Sequence, residues 1–251
     1  IKFGLFLEKA LSLGADYIAT GHYVKLSTNN EFVTNQRMHQ FVNSKLIRYS
    51  LMVARDRAKD QSYFLWTLTQ KQLKHCLFPI GEYTKPEVRK LAEQFGLLTA
   101  RKKDSQGICF LGQVSLPDFL KNYIPEKEGN VIDASGQVIA KHQGAHTYTI
   151  GQRHLGIKGL GGGPYFVVDK NIEKNTVTVA KQNDPRLYKK EIQLVDVNFI
   201  SQLSVVNCQL PVLARVRYRQ PLAKATLTYN LKPKTYSLTF DKPQKYIAVG
   251  Q

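Results

Sequence analysis

The chain has 251 residues and a formal net charge of +17, from 36 lysines and arginines against 19 aspartates and glutamates. Its length suits two or three domains, each able to bury a core, and its charge favours a polyanionic partner, either nucleic acid or an anionic membrane surface. No apolar run approaches the roughly 20 residues that span a bilayer and no signal peptide is visible, while three scattered cysteines, Cys76, Cys109 and Cys208, argue against a disulfide scaffold or a structural zinc centre and for a reducing compartment.

The chain opens at Ile1 in an amphipathic helical pattern. Phe3, Phe6, Leu7, Ala10 and Leu11 recur at helical spacing, and Gly14 supplies the stop. A start inside a helix without an initiator methionine, and an end just after the strand-like run Tyr246-Ile247-Ala248-Val249, lead to the expectation of a fragment. Residues 16–20 read as a short apolar strand ending in Gly21-His22-Tyr23, and two strand-like stretches between Val24 and Ala54 flank a polar insert, a hairpin with a long loop. Residues 62–68 and 70–76 read as a broken helical region. Thr84-Lys85-Pro86-Glu87 is a capping box opening a helix that Gly96 closes. This alternation predicts an α/β region with a parallel sheet. Beyond Pro125 short strands separated by turn residues take over: Val131-Ile132-Asp133 turns at Ser135-Gly136 into Val138-Ile139, and residues 165–169 turn into 177–180. Two β-rich units follow, one to about Asn183 and one from about Leu187.

Five stretches carry chemical potential. Gly21 and His22 fall at the carboxyl end of a strand, where open α/β sheets bind ligands; a glycine there admits a nucleotide to the backbone, and a plain turn is the other reading. Lys59-Asp60-Gln61-Ser62-Tyr63-Phe64 offers phosphate pairing, amide hydrogen bonding and a stacking surface at one helix start, although Asp60 also suits a helix cap. Arg215-Val216-Arg217-Tyr218-Arg219 alternates, so an extended backbone would align three guanidinium groups on one strand face as a phosphate stripe or a solvated edge. Cys109 follows the turn-forming Asp104-Ser105-Gln106-Gly107 with Lys102 and Lys103 upstream, a setting for a reactive thiolate or equally for a buried structural thiol. Thr149-Ile150-Gly151-Gln152-Arg153-His154 offers Arg153 to RNA without a spacing that demands it. Residues 159–163 precede a proline and a strand, the wrong order for a phosphate cradle.

Taken in order, the run from Gly14 to Tyr23, Lys59 through Leu65, Phe78-Pro79-Ile80-Gly81, Lys102 through Phe110, Tyr148 through Arg153 and Arg217 through Gln220 resemble the tRNA-specific 2-thiouridylase family over nearly the whole chain. The resemblance implies an adenine-nucleotide α-hydrolase-like parallel-sheet domain over 1–115, a small β-rich central domain over 116–185 and a C-terminal β-barrel over 186–251, truncated at its end. It implies ATP, with magnesium, as cofactor near Gly21, and no protein-bound metal. It assigns tRNA contacts to His22, Lys59, Asp60, Gln61, Arg217, Tyr218 and Gln251, and persulfide sulfur to Cys109, which forms a disulfide with a second cysteine during turnover. A sulfur-donor protein and cytoplasmic location, or the mitochondrial matrix, follow from the same source, and no membrane. The family's Ser-Gly-Gly-x-Asp-Ser phosphate loop and second catalytic cysteine have no counterpart among these residues, so the chain alone is expected to bind tRNA without thiolating it. A non-catalytic tRNA-binding module accounts for the charge as well, and a redox protein acting through Cys109 is a further reading.

Overall fold

Ile18 and Cys76 are buried apolar residues 58 positions apart, and pairing them is what starts the first sheet. The computed structural model describes residues 1–28, 48–102, 116–157, 161, 163–200, 209–230 and 234–250. They fall into two compact units, Ile1–Lys102 with Asp196–Val206, and Lys103–Val195 with Asn207–Gln251.

In the first unit, β1 (Ile18–Ala19) is followed by a hairpin of β2 (Val24–Thr28) and β3 (Tyr49–Val53), with Val24 opposite Val53. The sheet partner of β1 is β4 (Cys76–Leu77), which runs parallel to it. The Ile18 amide donates to the His75 carbonyl at 2.9 Å and the Thr20 amide to the Leu77 carbonyl at 3.0 Å. This pairing corrects the helical reading of residues 70–76. The helix over Gln70–Leu73 stops at Leu73, because His75 to Leu77 give their backbone to β1.

Before β1, α1 (Leu7–Ser12) is preceded by a wider turn over Lys2–Phe6, in which Gly4 leaves helical geometry, and Gly14 ends the helix at φ +89°. The Gln70–Leu73 helix is α2, opened by Thr69 with the Gln72 side chain. The expected capping box opens α3 (Lys85–Gln94): Glu87 Oε2 accepts from the Thr84 amide at 2.6 Å and from its hydroxyl at 2.8 Å. Leu7, Ile18, Val24, Leu65, Leu68, Leu73, Cys76 and Phe78 form the core.

Local pattern gave no sign that the chain returns to this unit after residue 195. Asn198 donates to the Trp66 and Leu68 carbonyls at 2.7 and 3.0 Å, and Gln70 donates to the Ile200 carbonyl at 2.6 Å. Gln70 also brackets Tyr49, donating to its carbonyl at 2.7 Å and accepting from its amide at 2.8 Å.

The second unit begins with α4 (Leu116–Lys121) and a four-stranded sheet built from β5 (Gly129–Ile132), β6 (Val138–His142), β7 (Tyr165–Asn171) and β8 (Thr176–Lys181), in the order β6-β5-β8-β7. Its hairpins are the two expected from the turn residues, and β5 runs parallel to β8. Val131, Val167, Val177 and Val179 fill its core. A second four-stranded sheet, β10-β11-β12-β9, contains β9 (Tyr188–Leu194), β10 (Gln209–Ala214), β11 (Ala223–Asn230) and β12 (Thr235–Lys245), all antiparallel. Among the described residues the pairings of this sheet end at β10 on one side and β9 on the other.

The arginine run is not a strand. Ala214 pairs with Ala223, so residues 215–222 form the loop that reverses the chain between β10 and β11. Within it Val216 is buried, the Gln220 amide donates to the Arg217 carbonyl at 3.1 Å, and Arg219 takes a left-handed φ of +66°. A row of guanidinium groups on one face needs extended backbone, which a reversal removes.

Two substitutions test this packing. A Cβ on Gly81 would stand 2.1 Å from the Val24 carbonyl oxygen, so Gly81→Ala is expected to lower stability by about 1–3 kcal/mol, read as a lower urea midpoint at unchanged slope. Asn175 holds φ +50°, accepts from the Ala145 amide at 3.0 Å, and donates to the Lys127 and Glu128 carbonyls at 2.9 and 3.0 Å. Asn175→Ala is expected to destabilise by roughly 2–4 kcal/mol, and Asn175→Gly to recover about 1 kcal/mol of that by relieving the backbone; equal losses for the two would contradict the backbone share.

Candidate nucleotide and RNA site

At the carboxyl end of β1 the backbone leaves the sheet after Thr20. Gly21 is exposed there, and among the described residues, its two chain neighbours aside, no atom lies within 4 Å of the place a Cβ would take. The space beside this backbone is therefore free for a ligand, at the edge where open α/β sheets place nucleotides. His22 follows, half-buried between Phe3 and Phe78, with ring centroids 5.7 and 6.3 Å away. Its Nδ1 lies 3.0 Å from the Thr20 hydroxyl. Burial, and then the charge of Lys2, hold the imidazole below its ordinary pKa, so at neutral pH it is an uncharged hydrogen-bonding group.

The Lys59 to Gln61 segment is tied to this edge. Gln61 and Tyr23 are 38 residues apart, yet the Gln61 amide donates to the Tyr23 carbonyl at 2.8 Å and the Tyr23 amide donates to Gln61 Oε1 at 3.0 Å. Gln61 thereby spends its side-chain carbonyl on the chain itself. Asp60 is 0% exposed: its carboxylate accepts from the Ala54 amide at 2.9 Å and the Ser62 hydroxyl at 2.8 Å. An enclosed carboxylate fastened to the Ala54 backbone is a pin for the loop rather than a helix cap, since the short helix Ser62–Leu65 has Gln61 at its N-cap and no side-chain cap bond. Lys59 closes a turn made by Asp56, whose Oδ1 accepts from the Ala58 amide and whose Oδ2 accepts from the Lys85 amide at 2.9 Å at the start of α3.

Past the pin, Tyr63 and Phe64 meet edge to face at 5.0 Å, and Phe64 and Trp66 are 57% and 52% exposed. Exposed aromatics beside a lysine suit unstacked bases. The sequence reading reached Tyr63 and Phe64 but gave no site role to Trp66, or to Phe3 and Phe78 around His22; Phe3 and Trp66 fall in helical patterns, and nothing local ties Phe78 to His22.

Cys76 is buried, and desolvation pushes its thiol up to about 11. Its Sγ donates to the Gln72 carbonyl at 3.1 Å. A thiol so placed stays protonated and is a poor nucleophile. Cys109, Cys208 and Gln251 lie outside the described residues, as do residues 158–160 and 162 of the glycine-rich loop. Among the described residues no three His, Cys, Asp or Glu side chains stand together as a metal site, and no helix is long and apolar enough to cross a membrane.

In the second unit, Arg217 and Tyr218 stand in the β10–β11 loop, both half-buried, and the Arg219 guanidinium lies 5.3 Å from the Tyr218 ring centroid. This is a stacked cation and aromatic, a surface suited to a base and its phosphate.

Three family models match the chain in succession: a tRNA methyl transferase HUP domain over residues 1–113, a tRNA methyl transferase PRC-barrel domain over 117–181 and an aminomethyltransferase beta-barrel domain over 189–251. The chain is 42% identical to the tRNA-specific 2-thiouridylase of Alkaliphilus oremlandii, aligning along its full length and spanning 65% of that relative. It is 41% identical to the enzyme of that name from Haemophilus influenzae, spanning 62% of it. With the Flavobacterium johnsoniae protein of the same name it shares 40% identity along its full length, covering 70% of the relative. Such identity along every residue, over three matched domains in order, means that the chain belongs to the tRNA-specific 2-thiouridylase family.

Proposed function

We propose that the protein replaces the C2 oxygen of the wobble uridine of tRNA with sulfur in an ATP-dependent reaction. The observation that carries this reading is the reciprocal bonding of Gln61 and Tyr23, which joins the open Gly21 edge to the Lys59 to Gln61 loop. It sets side by side, from distant stretches of sequence, the Gly21 edge that this reading gives to the nucleotide and the loop that it gives to RNA. ATP, as substrate, supplies the adenylate that makes the uridine O2 a leaving group. The terminal sulfur of a persulfide on Cys109 adds to C2 as AMP departs, and a second thiol then cleaves the S–S bond, leaving thiouridine and a disulfide with Cys109.

Gly21 admits the nucleotide, and His22 offers a neutral hydrogen-bonding edge to RNA. Lys59 supplies charge while Asp60 and Gln61 hold the loop, acting on tRNA through position as much as by contact. Arg217, Tyr218 and Gln251 contribute further tRNA contacts, and a sulfur-donor protein loads Cys109. All three matched domain descriptions name methyl or aminomethyl transfer, but the relatives are named thiouridylases, and a cysteine with Lys102 and Lys103 upstream suits sulfur transfer.

The test is Cys109→Ser made in a chain of the relatives' full length, which serves as the parent and supplies the phosphate loop and second cysteine that the resemblance implies. Thiouridine formation, read as retardation of the tRNA on a mercury-containing gel, is expected to vanish while tRNA affinity stays within about twofold of the parent, inside ~0.4 kcal/mol. Undiminished thiolation by the variant would overturn the persulfide role; tRNA bound by the parent without any thiolation in the presence of ATP and a sulfur donor would favour a binding module.

A second prediction concerns pH. The folded state holds His22 below its ordinary 6.5, so it binds fewer protons than the unfolded chain as pH falls. Stability from neutral His22 is complete above about 6.5 and is lost as pH drops through the folded value. His142, also lowered chiefly by burial, acts in the same direction. His22→Gln should therefore flatten, without abolishing, the fall of the urea midpoint between about pH 7 and pH 5; a curve parallel to the parent's would count against a buried neutral His22.

A further inference from the structure

Within the second unit, three stretches distant in sequence meet at the end of β12. Gly151, at φ +81°, comes so close that a Cβ there would lie 2.4 Å from the Tyr246 Cβ. The Tyr246 amide donates to the Leu187 carbonyl at 2.9 Å, and its ring stacks on Phe166 of β7 at 5.4 Å and 14°. Gln220, at the end of the Arg217 to Arg219 turn, points its amide nitrogen at the Lys245 carbonyl from 3.5 Å. The residues carried by these stretches are basic and aromatic. Arg153 and His154 are exposed two and three residues past Gly151, Arg219 is exposed one residue before Gln220, and the Lys245 ammonium lies 4.9 Å from the Tyr188 ring centroid.

Backbone strain coincides with this seam. Arg219 and Tyr246 hold φ of +66° and +61°, a region that non-glycine residues adopt only where their surroundings force it. Tyr246 is held there by its backbone bond to Leu187 and its stack on Phe166, and Lys245 just before it pairs with Tyr188 as the last residue of β12. Two pairs of cation and aromatic ring, Arg219 on Tyr218 and Lys245 on Tyr188, are joined through the contact of Gln220 with the Lys245 carbonyl. Alternating guanidinium or ammonium groups and rings are the elements of a track for a nucleic-acid strand.

We infer that Arg153 and Lys245 extend the Arg217 to Arg219 turn into one phosphate-binding track along this seam. The inference rests on the tRNA reading above and adds to it two residues on separate elements, one of them in the Thr149 to His154 segment whose spacing alone demanded no such role.

The experiment measures the affinity of the protein for unmodified tRNA as a function of salt, for the parent and for Arg153→Gln, Lys245→Gln and Lys174→Gln. Lys174 is exposed on the β7–β8 turn of the same unit, away from the seam residues in sequence, and serves as the comparison. Each seam variant is expected to weaken binding about three- to tenfold at low salt and to reduce the slope of log K against log salt by about one, with Lys174→Gln unchanged and all melting curves alike. Unaltered slopes in both seam variants would overturn the track while leaving the tRNA reading intact, as would equal losses in all three, which signify diffuse attraction. No salt-dependent binding by the parent would overturn the tRNA reading itself, and the track with it.

Discussion

The fastening of the Ala54 to Ser62 loop is the constraint on which the first unit's site depends. A buried carboxylate is tolerated only when hydrogen bonds replace its water, and Asp60 finds them in the Ala54 amide and the Ser62 hydroxyl. Those two bonds fix both ends of the loop. Gln61, between them, is then in position to bracket Tyr23. Tyr23 lies between His22 and the fully buried Val24, so the site edge inherits its rigidity from the core. Asp60 and Gln61 thus belong to the scaffold as much as to the ligand surface, and the exposed aromatics that follow stand on a fixed base.

The second unit solves a related problem by other means. There the basic side chains hang from turns, and what orders the turns is close backbone approach: Gly151 against Tyr246, Gly129 against the Asn175 carbonyl, where a Cβ would come within 2.1 Å. Neither contact leaves room for a side chain. The long strand β12 changes register between Thr239 and Gln244, and just past its end the Tyr246 ring stacks on Phe166 of β7. In both units, then, a polar pin or a missing Cβ sets the backbone, and the charged residues are carried on what is set.

Much of this was legible from residues alone. The capping box at Thr84, the stops at Gly14 and Gly96 and the Asp133 to Gln137 turn are local devices, and local chemistry decides them. The hairpins were readable for the same reason. The β1–β4 pairing was not, because strands of two residues carry no period, and Cys76 sits in an apolar run that a helix would also explain. Arg215 to Arg219 has the alternation of a strand, yet the partner register of Ala214 with Ala223 imposes a reversal that only the pairing reveals. Asp60 was weighed as both cap and contact; its burial goes with the bond from the Ala54 amide six residues earlier, a tertiary fact. The return of Asn198 and Ile200 to the first unit likewise rests on amide bonds to Leu68 and Gln70 with no sequence signature.

Amide hydrogen exchange at Tyr23, Ala54 and Gln61, measured in the free protein and with tRNA bound, bears most directly on the claim that the loop and the Gly21 edge form one fastened surface. The account predicts that these three amides exchange nearly as slowly as those of the core strand β2 in the free protein, and that Tyr23 and Gln61 slow further with tRNA. Exchange as fast as that of ordinary surface turns, unchanged by tRNA, would contradict it.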